Sequence, residues 1–152
     1  MSVAAVTVWY PGAIGAIMAA NLDLTTVATH GEDIKMALLS PGYTMDPDAD
    51  FDFSACVANE LGGGTPPTGY TNGGQSMSSL GITYDSATNT WHWDAADMIW
   101  TGLDYTAGVD TAIIYDDTSN TLICCITFPT QTGSGNFELD FNLGHVAPVP
   151  VS

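Results

Sequence analysis

The sequence has almost no positive charge. It contains one lysine, Lys35, and no arginine, against seventeen aspartate and glutamate residues, which gives a formal net charge of −16. Proteins that bind nucleic acids or anionic membranes use lysine and arginine to neutralise phosphates, and one lysine cannot do this. We therefore expect neither a nucleic-acid partner nor a membrane partner. Such a charge opposes non-specific association and suits a surface that faces water or a basic partner.

Long apolar runs are also missing. No stretch approaches the roughly 20 apolar residues that a membrane-spanning helix requires. Residues 1–21 are rich in apolar side chains, but no positive charge precedes them, and Trp9, Tyr10 and Pro11 interrupt the run, unlike a secretory signal. We expect a soluble and unprocessed protein.

Cysteine is scarce, and its spacing indicates neither disulfides nor a metal site. Cys56, Cys124 and Cys125 are an odd number without metal-ligand spacing. In a strand the neighbours Cys124 and Cys125 point to opposite faces. We predict buried thiols in a protein made in a reducing cytoplasm.

The length and apolar content predict one folded domain. The 152 residues are 45% hydrophobic, and a chain of this size buries enough surface to fold without a disulfide or a metal. We therefore assign residues 1–152 to a single β domain.

A short helix is predicted near the N-terminus. Pro11 suits a first helical position, Ile14, Ile17 and Met18 fall at i, i+3 and i+4, and Asn21 is a plausible end. Because so short a helix is unstable alone, we expect it to pack on the rest of the protein.

The remaining periodicity is that of strands. Residues 33–39 place Ile34, Met36 and Leu38 on one face, and alternating apolar rows separated by turn residues run from Leu80 to Leu143. This pattern predicts a mainly β fold, either an antiparallel β-sandwich (jelly-roll or immunoglobulin-like) or a barrel, with one short N-terminal helix. Residues 1–10 are predicted to be a strand or an arm, and 144–152 an extended C-terminal arm.

Residues 40–79 have no periodicity and are rich in glycine and proline. A loop of this length inside a compact domain usually has a function or forms an interaction surface. We predict that this long irregular region contacts a partner.

The acidic run at 46–52 is the best candidate for a metal site. Asp46, Asp48, Asp50 and Asp52 alternate along a loop, and calcium binds carboxylate oxygens of this kind. The run lacks the glycine and the final glutamate of an EF-hand loop. We therefore predict a solvated acidic loop and no metal, with calcium as the alternative.

No residue pattern predicts catalysis or a cofactor. His92, Asp94 and Asp97 are close in sequence, but alternation places His92 and Asp94 on the outer face of a strand. The sequence has no nucleophile elbow, phosphate-binding loop or dinucleotide fingerprint. We expect no catalytic residue, no cofactor and no enzymatic activity.

Aromatic residues offer one further alternative. Trp91, Trp93 and Trp100, with Tyr84 and Tyr105, could form a stacking platform for carbohydrate. Aromatic residues at alternate strand positions more often belong to the core. Exposure of the rings in a row would distinguish a carbohydrate-binding β-sandwich module from a packed core.

Seven segments carry a family resemblance through their order and spacing. They are DIKMALL (33–39), PGYT (41–44), ANEL (58–61), TGYTNGG (68–74), ITYDSATNT (82–90), DAAD (94–97) with Trp100, and AIIYDDT (112–118). In these segments the chain resembles a family of small structural proteins of tailed-bacteriophage virions, over roughly residues 8–143.

The resemblance implies a particle component without enzymatic activity. The expected function is that of a capsid decoration (cement) protein on the outer surface of the head, trimeric, which bridges neighbouring major capsid subunits. The expected contact segments are 40–79, 1–10 and 144–152. The alternative within the virion is a neck, tail or fibre-associated protein.

Overall fold

Strands dominate the structure, which is a computed structural model. It describes residues 6–19, 21–25, 33–87, 89–142 and 145–149. Within these ranges lie helix α1 (Pro11–Met18) and two 3-10 turns, Phe53–Ala55 and Val57–Asn59. The strands are β1 (Val6–Trp9), β2 (Ile34–Leu39), β3 (Gln75–Ser76), β4 (Gly81–Asp85), β5 (Thr90–Asp94), β6 (Met98–Asp104), β7 (Val109–Asp116), β8 (Leu122–Gln131), β9 (Ser134–Asn142) and β10 (His145–Val149).

The strands form antiparallel sheets, as predicted. A five-stranded sheet has the order β1-β8-β7-β2-β3, a three-stranded sheet has the order β10-β9-β6, and β4 and β5 form a separate hairpin. The strands of the described ranges do not close into a barrel. The mainly β prediction with one short helix is therefore confirmed, while the jelly-roll or immunoglobulin-like topology stays a prediction.

The main core lies between the two larger sheets. Ile34, Met36 and Leu38 of β2 face it together, as the alternation predicts, and they pack with Trp100 of β6 and Phe137 of β9. Burial of these large side chains supplies much of the hydrophobic stabilisation, at about 25 cal/mol per Å² of apolar surface.

A second core covers the opposite face of the five-stranded sheet. Ala37, Leu39 and Ile113 point there, and Phe53 and Cys56 from the irregular region pack onto them. The same segment adds a close ring contact, because Phe53 stacks on Tyr115 with the ring centroids 4.0 Å apart.

The irregular region is therefore in large part a structural layer. Its residues Phe53, Cys56, Leu61, Tyr70 and Met77 are buried, and a partner contact by the exposed residues of 40–79 stays a prediction. The sequence shows no periodicity there because single turns and loops cover the sheet, and such a cover has no regular repeat.

Helix α1 packs through its alanines. Ala13 is fully buried and Ala16 packs against the main core, whereas Ile14, Ile17 and Met18 are exposed. The helix prediction is confirmed, but the face predicted to pack is the wrong one. Small side chains allow the short helix to approach the sheet closely, and the larger ones are left outside.

Both chain ends differ from free arms where the structure describes them. Val6–Trp9 pairs with β8, so this part of 1–10 is a strand. His145–Val149 pairs with β9, with Pro148 opposite Leu139. The arm predicted for 144–152 is over these residues an edge strand, a position at which proline is tolerated because one side of the strand needs no ladder hydrogen bonds. Residues 1–5 and 150–152 lie outside the described ranges.

Candidate functional site

The carboxylates of the acidic run serve their own loop. Asp50 Oδ2 accepts hydrogen bonds from the Tyr43 hydroxyl and the Asp46 amide, both at 2.8 Å. Asp46 Oδ1 accepts the Asp48 amide at 3.0 Å, and Asp52 Oδ1 accepts the Ser54 amide at 2.9 Å. Nowhere in the described ranges do three or more His, Cys, Asp or Glu side chains converge as metal ligands.

We predict that calcium does not stabilise this loop. Asp48→Asn should leave the melting temperature unchanged, because no described hydrogen bond uses the Asp48 side chain as acceptor. Asp50→Asn should cost about 1 kcal/mol, since the Asp50 side chain accepts two hydrogen bonds. Thermal melting with and without calcium measures both effects, and a stabilisation by calcium that either variant abolishes would contradict the prediction.

The predicted polar residues around His92 do not form one catalytic group. His92 lies half-buried on β5 opposite Thr83, and Asp94 Oδ1 accepts the neighbouring Ala95 amide at 3.0 Å. Asp97 Oδ1 instead accepts the Phe141 amide of β9 at 2.9 Å. The Asp97 side chain therefore connects the residue just before β6 to strand β9.

One pair of carboxylates was not anticipated from the sequence. Asp140 on β9 lies beside Asp97, and the pKa of Asp140 is raised, first by partial burial and then by the neighbouring carboxylate. Asp97 is exposed and Asp140 is only partly covered. A general acid requires a positioned substrate and a cleft in addition to a raised pKa. The pKa of Asp140 is raised, but the pair is open to solvent and lacks the enclosed site that a general acid requires.

The aromatic residues do not form an exposed row where their side chains are described. Trp100 is fully buried, and Trp93 packs against Trp9 with ring centroids 5.7 Å apart. The indole N–H of Trp93 donates to the Leu24 carbonyl at 2.8 Å. The Trp91 side chain lies outside the described set. Trp93 and Trp100 thus hold the fold together, as the core interpretation predicts.

The three thiols are buried and free, as predicted. Cys124 belongs to the main core and Cys125 to the second core, so these neighbours do point to opposite faces. Burial raises the pKa of Cys56 to about 11, and the neighbouring Tyr43 hydroxyl opposes the shift in part. Burial also raises the pKa of Cys125 to about 12 and moves that of Cys124 upward. Raised pKa values make these thiols poor nucleophiles.

The raised thiol pKa values predict loss of stability in alkali. The unfolded chain ionises its thiols near pH 9, whereas folded Cys56 holds its proton to about pH 11. The contribution is therefore complete below pH 9 and is lost as the pH rises from 9 to 11. Urea unfolding at pH 8 to 11 should show this fall, and Cys56→Ser should make it less steep by the contribution of that one thiol. An identical pH profile in the variant would contradict the assignment.

A buried carboxylate holds two distant parts of the irregular region together. Glu60 Oε1 accepts the Tyr70 hydroxyl at 2.8 Å and the Gly73 amide at 2.5 Å. The Gly73 carbonyl in turn accepts the Tyr115 hydroxyl of β7 at 2.8 Å. We call Glu60, Tyr70, Gly73 and Tyr115 the Glu60 latch. It fastens the loop at 60–74 to the central sheet.

The clearest candidate for a contact site is apolar. Met18 is 84% exposed, Phe51 60% and Ile14 47%. A Cβ placed on Gly12 would lie 3.9 Å from Phe51 Cδ1, so the Phe51 ring lies beside the start of helix α1. We call Ile14, Ile17, Met18 and Phe51 the N-terminal apolar surface.

The helical part of this surface carries no charged side chain. The first 22 residues of the chain contain no Asp, Glu, Lys or Arg, so all seventeen acids follow from Asp23 onward. The flanking acids of Phe51 are turned to their own loop, through Tyr43 for Asp50 and Ser54 for Asp52. The sequence signal for this surface was the spacing of Ile14, Ile17 and Met18 in the predicted helix, which we expected to pack on the rest of the protein.

No protein-family model matches the chain, and no curated protein and no solved structure is significantly similar to it. Within the described ranges, no helix has both the length and the hydropathy needed to cross a membrane.

Proposed function

We propose that the chain is a structural component of a tailed-phage particle, and specifically a decoration protein that stabilises the head by bridging neighbouring capsid subunits. The N-terminal apolar surface carries the proposal. Large apolar side chains that stay exposed on an otherwise acidic protein indicate a surface that a permanent protein partner covers. Among the assemblies that could cover such a surface, we favour the phage particle because the order of the seven sequence segments resembles that of small virion proteins.

A bridging protein needs more than one contact surface, and exposed apolar residues also occur elsewhere. Ile82 and Tyr84 of the β4–β5 hairpin are 49% and 46% exposed. They alternate on β4, so they share one face of the hairpin. Each individual contact can be weak, because a decoration protein repeats it hundreds of times over a shell.

The acidic side chains fit a structural function. Asp46, Asp50, Asp52 and Asp104 accept hydrogen bonds from their own turns, and the buried Asp116 accepts the Thr118 and Ser119 amides of the β7–β8 loop. Turns fastened in this way keep a particle component rigid. The remaining negative charge keeps the outward face soluble.

Quantitative mass spectrometry of purified particles tests the proposal. A decoration protein should be present in hundreds of copies, in a fixed ratio to the major capsid protein, and imaging should place it on the outer surface of the head. Tens of copies would favour the neck, tail or fibre alternative. Absence of the chain from particles would overturn a virion function.

The carbohydrate-binding alternative has a separate test. A glycan-binding module should bind polysaccharide through exposed aromatic rings, and Trp93 and Trp100 are unsuited to this because both are engaged in the fold. We expect no retention on polysaccharide columns. Retention that Tyr84→Ala abolishes would favour the module instead.

A further inference from the structure

The loop that the Glu60 latch fastens contains a chemically labile pair of residues. Asn72 and Gly73 are the one Asn-Gly pair in the sequence. In such a pair the backbone nitrogen of the glycine can attack the side-chain amide of the asparagine, because glycine has no side chain to hinder the approach. The Asn72 side chain is exposed, so water reaches the group that would react.

The reaction is loss of ammonia followed by hydrolysis. Hydroxide removes the proton of the Gly73 amide, and the nitrogen attacks Cγ of Asn72 to close a succinimide ring. The bond between Cγ and Nδ2 breaks, and Nδ2 leaves as ammonia with a proton from water. Water then opens the ring at either carbonyl. The product at position 72 is aspartate or isoaspartate, in which the main chain runs through the side-chain carbons.

The latch opposes the first step of this reaction. The proton that must leave is the one that the Gly73 amide donates to Glu60 Oε1, at 2.5 Å, and the Glu60 side chain is buried. A nitrogen anion there would lie beside a buried carboxylate, and like charges repel strongly where water is excluded. The pKa of the neighbouring Tyr70 is raised, first by burial and then by the Glu60 charge. Glu60 therefore disfavours a second negative charge close to it.

Hydrogen bonds also restrain the two groups that must meet. Nδ2 of Asn72 donates to the Gly64 carbonyl at 3.3 Å, and the Gly73 carbonyl accepts the Tyr115 hydroxyl at 2.8 Å. The amide and the carbonyl of Gly73 are thus both held by the latch. Ring closure requires the peptide between residues 72 and 73 to turn toward the Asn72 side chain, and the closed latch resists this rotation.

We propose that Asn72 is a site of deamidation that the Glu60 latch controls. A closed latch preserves the asparagine, and an open latch allows its conversion. Both products add a negative charge beside the latch, and isoaspartate also adds a carbon atom to the main chain. The converted loop therefore latches less well than the original one. Because the conversion is not reversed by closing, copies whose latch has opened are permanently marked.

Mass spectrometry of chymotryptic peptides measures the conversion during incubation in mildly alkaline buffer. In the folded wild type, Asn72 should react at least about tenfold more slowly than in the chain unfolded by urea, because only molecules with an open latch react. Glu60→Leu should recover most of the rate of the unfolded chain. Glu60→Gln should fall between the two, since glutamine keeps the hydrogen bond but not the charge, and it decides the question if the leucine variant does not fold.

Leu139→Ala is the matched control for loss of stability. Leu139 is fully buried on β9, in a different sheet from the latch, and truncation of a core leucine destabilises the fold without removing a latch residue. This variant should deamidate like the wild type. Asn72→Gln should show no conversion at position 72, because the larger ring that glutamine would form closes far more slowly.

Three results would overturn the proposal. The first is a folded wild type that reacts as fast as the unfolded chain. The second is a Glu60 variant that folds but reacts no faster than the wild type. The third is a Leu139→Ala rate equal to that of Glu60→Leu, since global unfolding rather than the latch would then set the reaction. All of these measurements use the purified chain, so their outcome is independent of the particle inventory that tests the proposed function.

Discussion

Gly74→Ala is expected to destabilise the protein by about 3 kcal/mol or more. A Cβ at this position would overlap the Met36 carbonyl oxygen and lie 2.7 Å from Ala37 Cα. Both neighbours are backbone atoms of the central strand β2, so neither can turn aside as a side chain could. The expected result is separation of β3 from β2 and a lower urea midpoint.

Gly64→Ala separates this clash from ordinary backbone strain. Gly64 has a φ of +91°, close to the +74° of Gly74, but a Cβ there would meet nothing within 4 Å. Alanine at position 64 should therefore destabilise the protein only through the strain of the left-handed conformation, by about 1–2 kcal/mol. Equal losses in the two variants would show that conformation, rather than close approach to β2, sets the requirement for glycine at 74.

Glu60→Leu is expected to cost about 3 kcal/mol through loss of the latch. Leucine fills the buried space but accepts no hydrogen bond, so the Gly73 amide loses its partner. The Tyr70 hydroxyl keeps only its contacts with the Leu38 backbone, at 3.1 Å from the amide nitrogen and 3.4 Å from the carbonyl oxygen. The free energy of unfolding from urea titration measures the loss.

Glu60→Gln is the matched control for the latch. The glutamine carbonyl oxygen can accept both hydrogen bonds at nearly the same place, so we expect a loss within about 1 kcal/mol. A glutamine variant as unstable as the leucine variant would show that the carboxylate charge itself is required. Hydrogen exchange at the Gly73 amide should accelerate in Glu60→Leu alone.

The regular elements could be predicted because their side chains repeat. Alternation at Ile34, Met36 and Leu38 gave the inner face of β2, and Pro11 gave the start of the helix. Burial of β7 on both faces also has a signal in the sequence, the continuous apolar run Ala112–Tyr115, since strands covered on both sides lose their alternation. Periodicity alone did not reveal what covers the second face.

The contacts between distant segments could not be predicted in the same way. Glu60 meets Tyr70 and Gly73, and Gly73 meets Tyr115, because the irregular region folds back over the sheet. Nothing in the local sequence encodes that return. The packing face of helix α1 was predicted wrongly for a different reason. Ile14 and Met18 have the spacing of a packed face, but the small side chains of Ala13 and Ala16 allow a closer approach to the core. Residue size decided which side packs.

The position of the one lysine makes trypsin a probe of global unfolding. Trypsin cleaves after lysine and arginine, so Lys35–Met36 is the one bond in the sequence that it can cut. That bond lies within β2, between β7 and β3, and Lys35 is held by Asp117 at 2.6 Å. The protease cannot reach a strand paired on both sides, and the chain must open before it is digested. The digestion rate should therefore follow the equilibrium population of the opened chain.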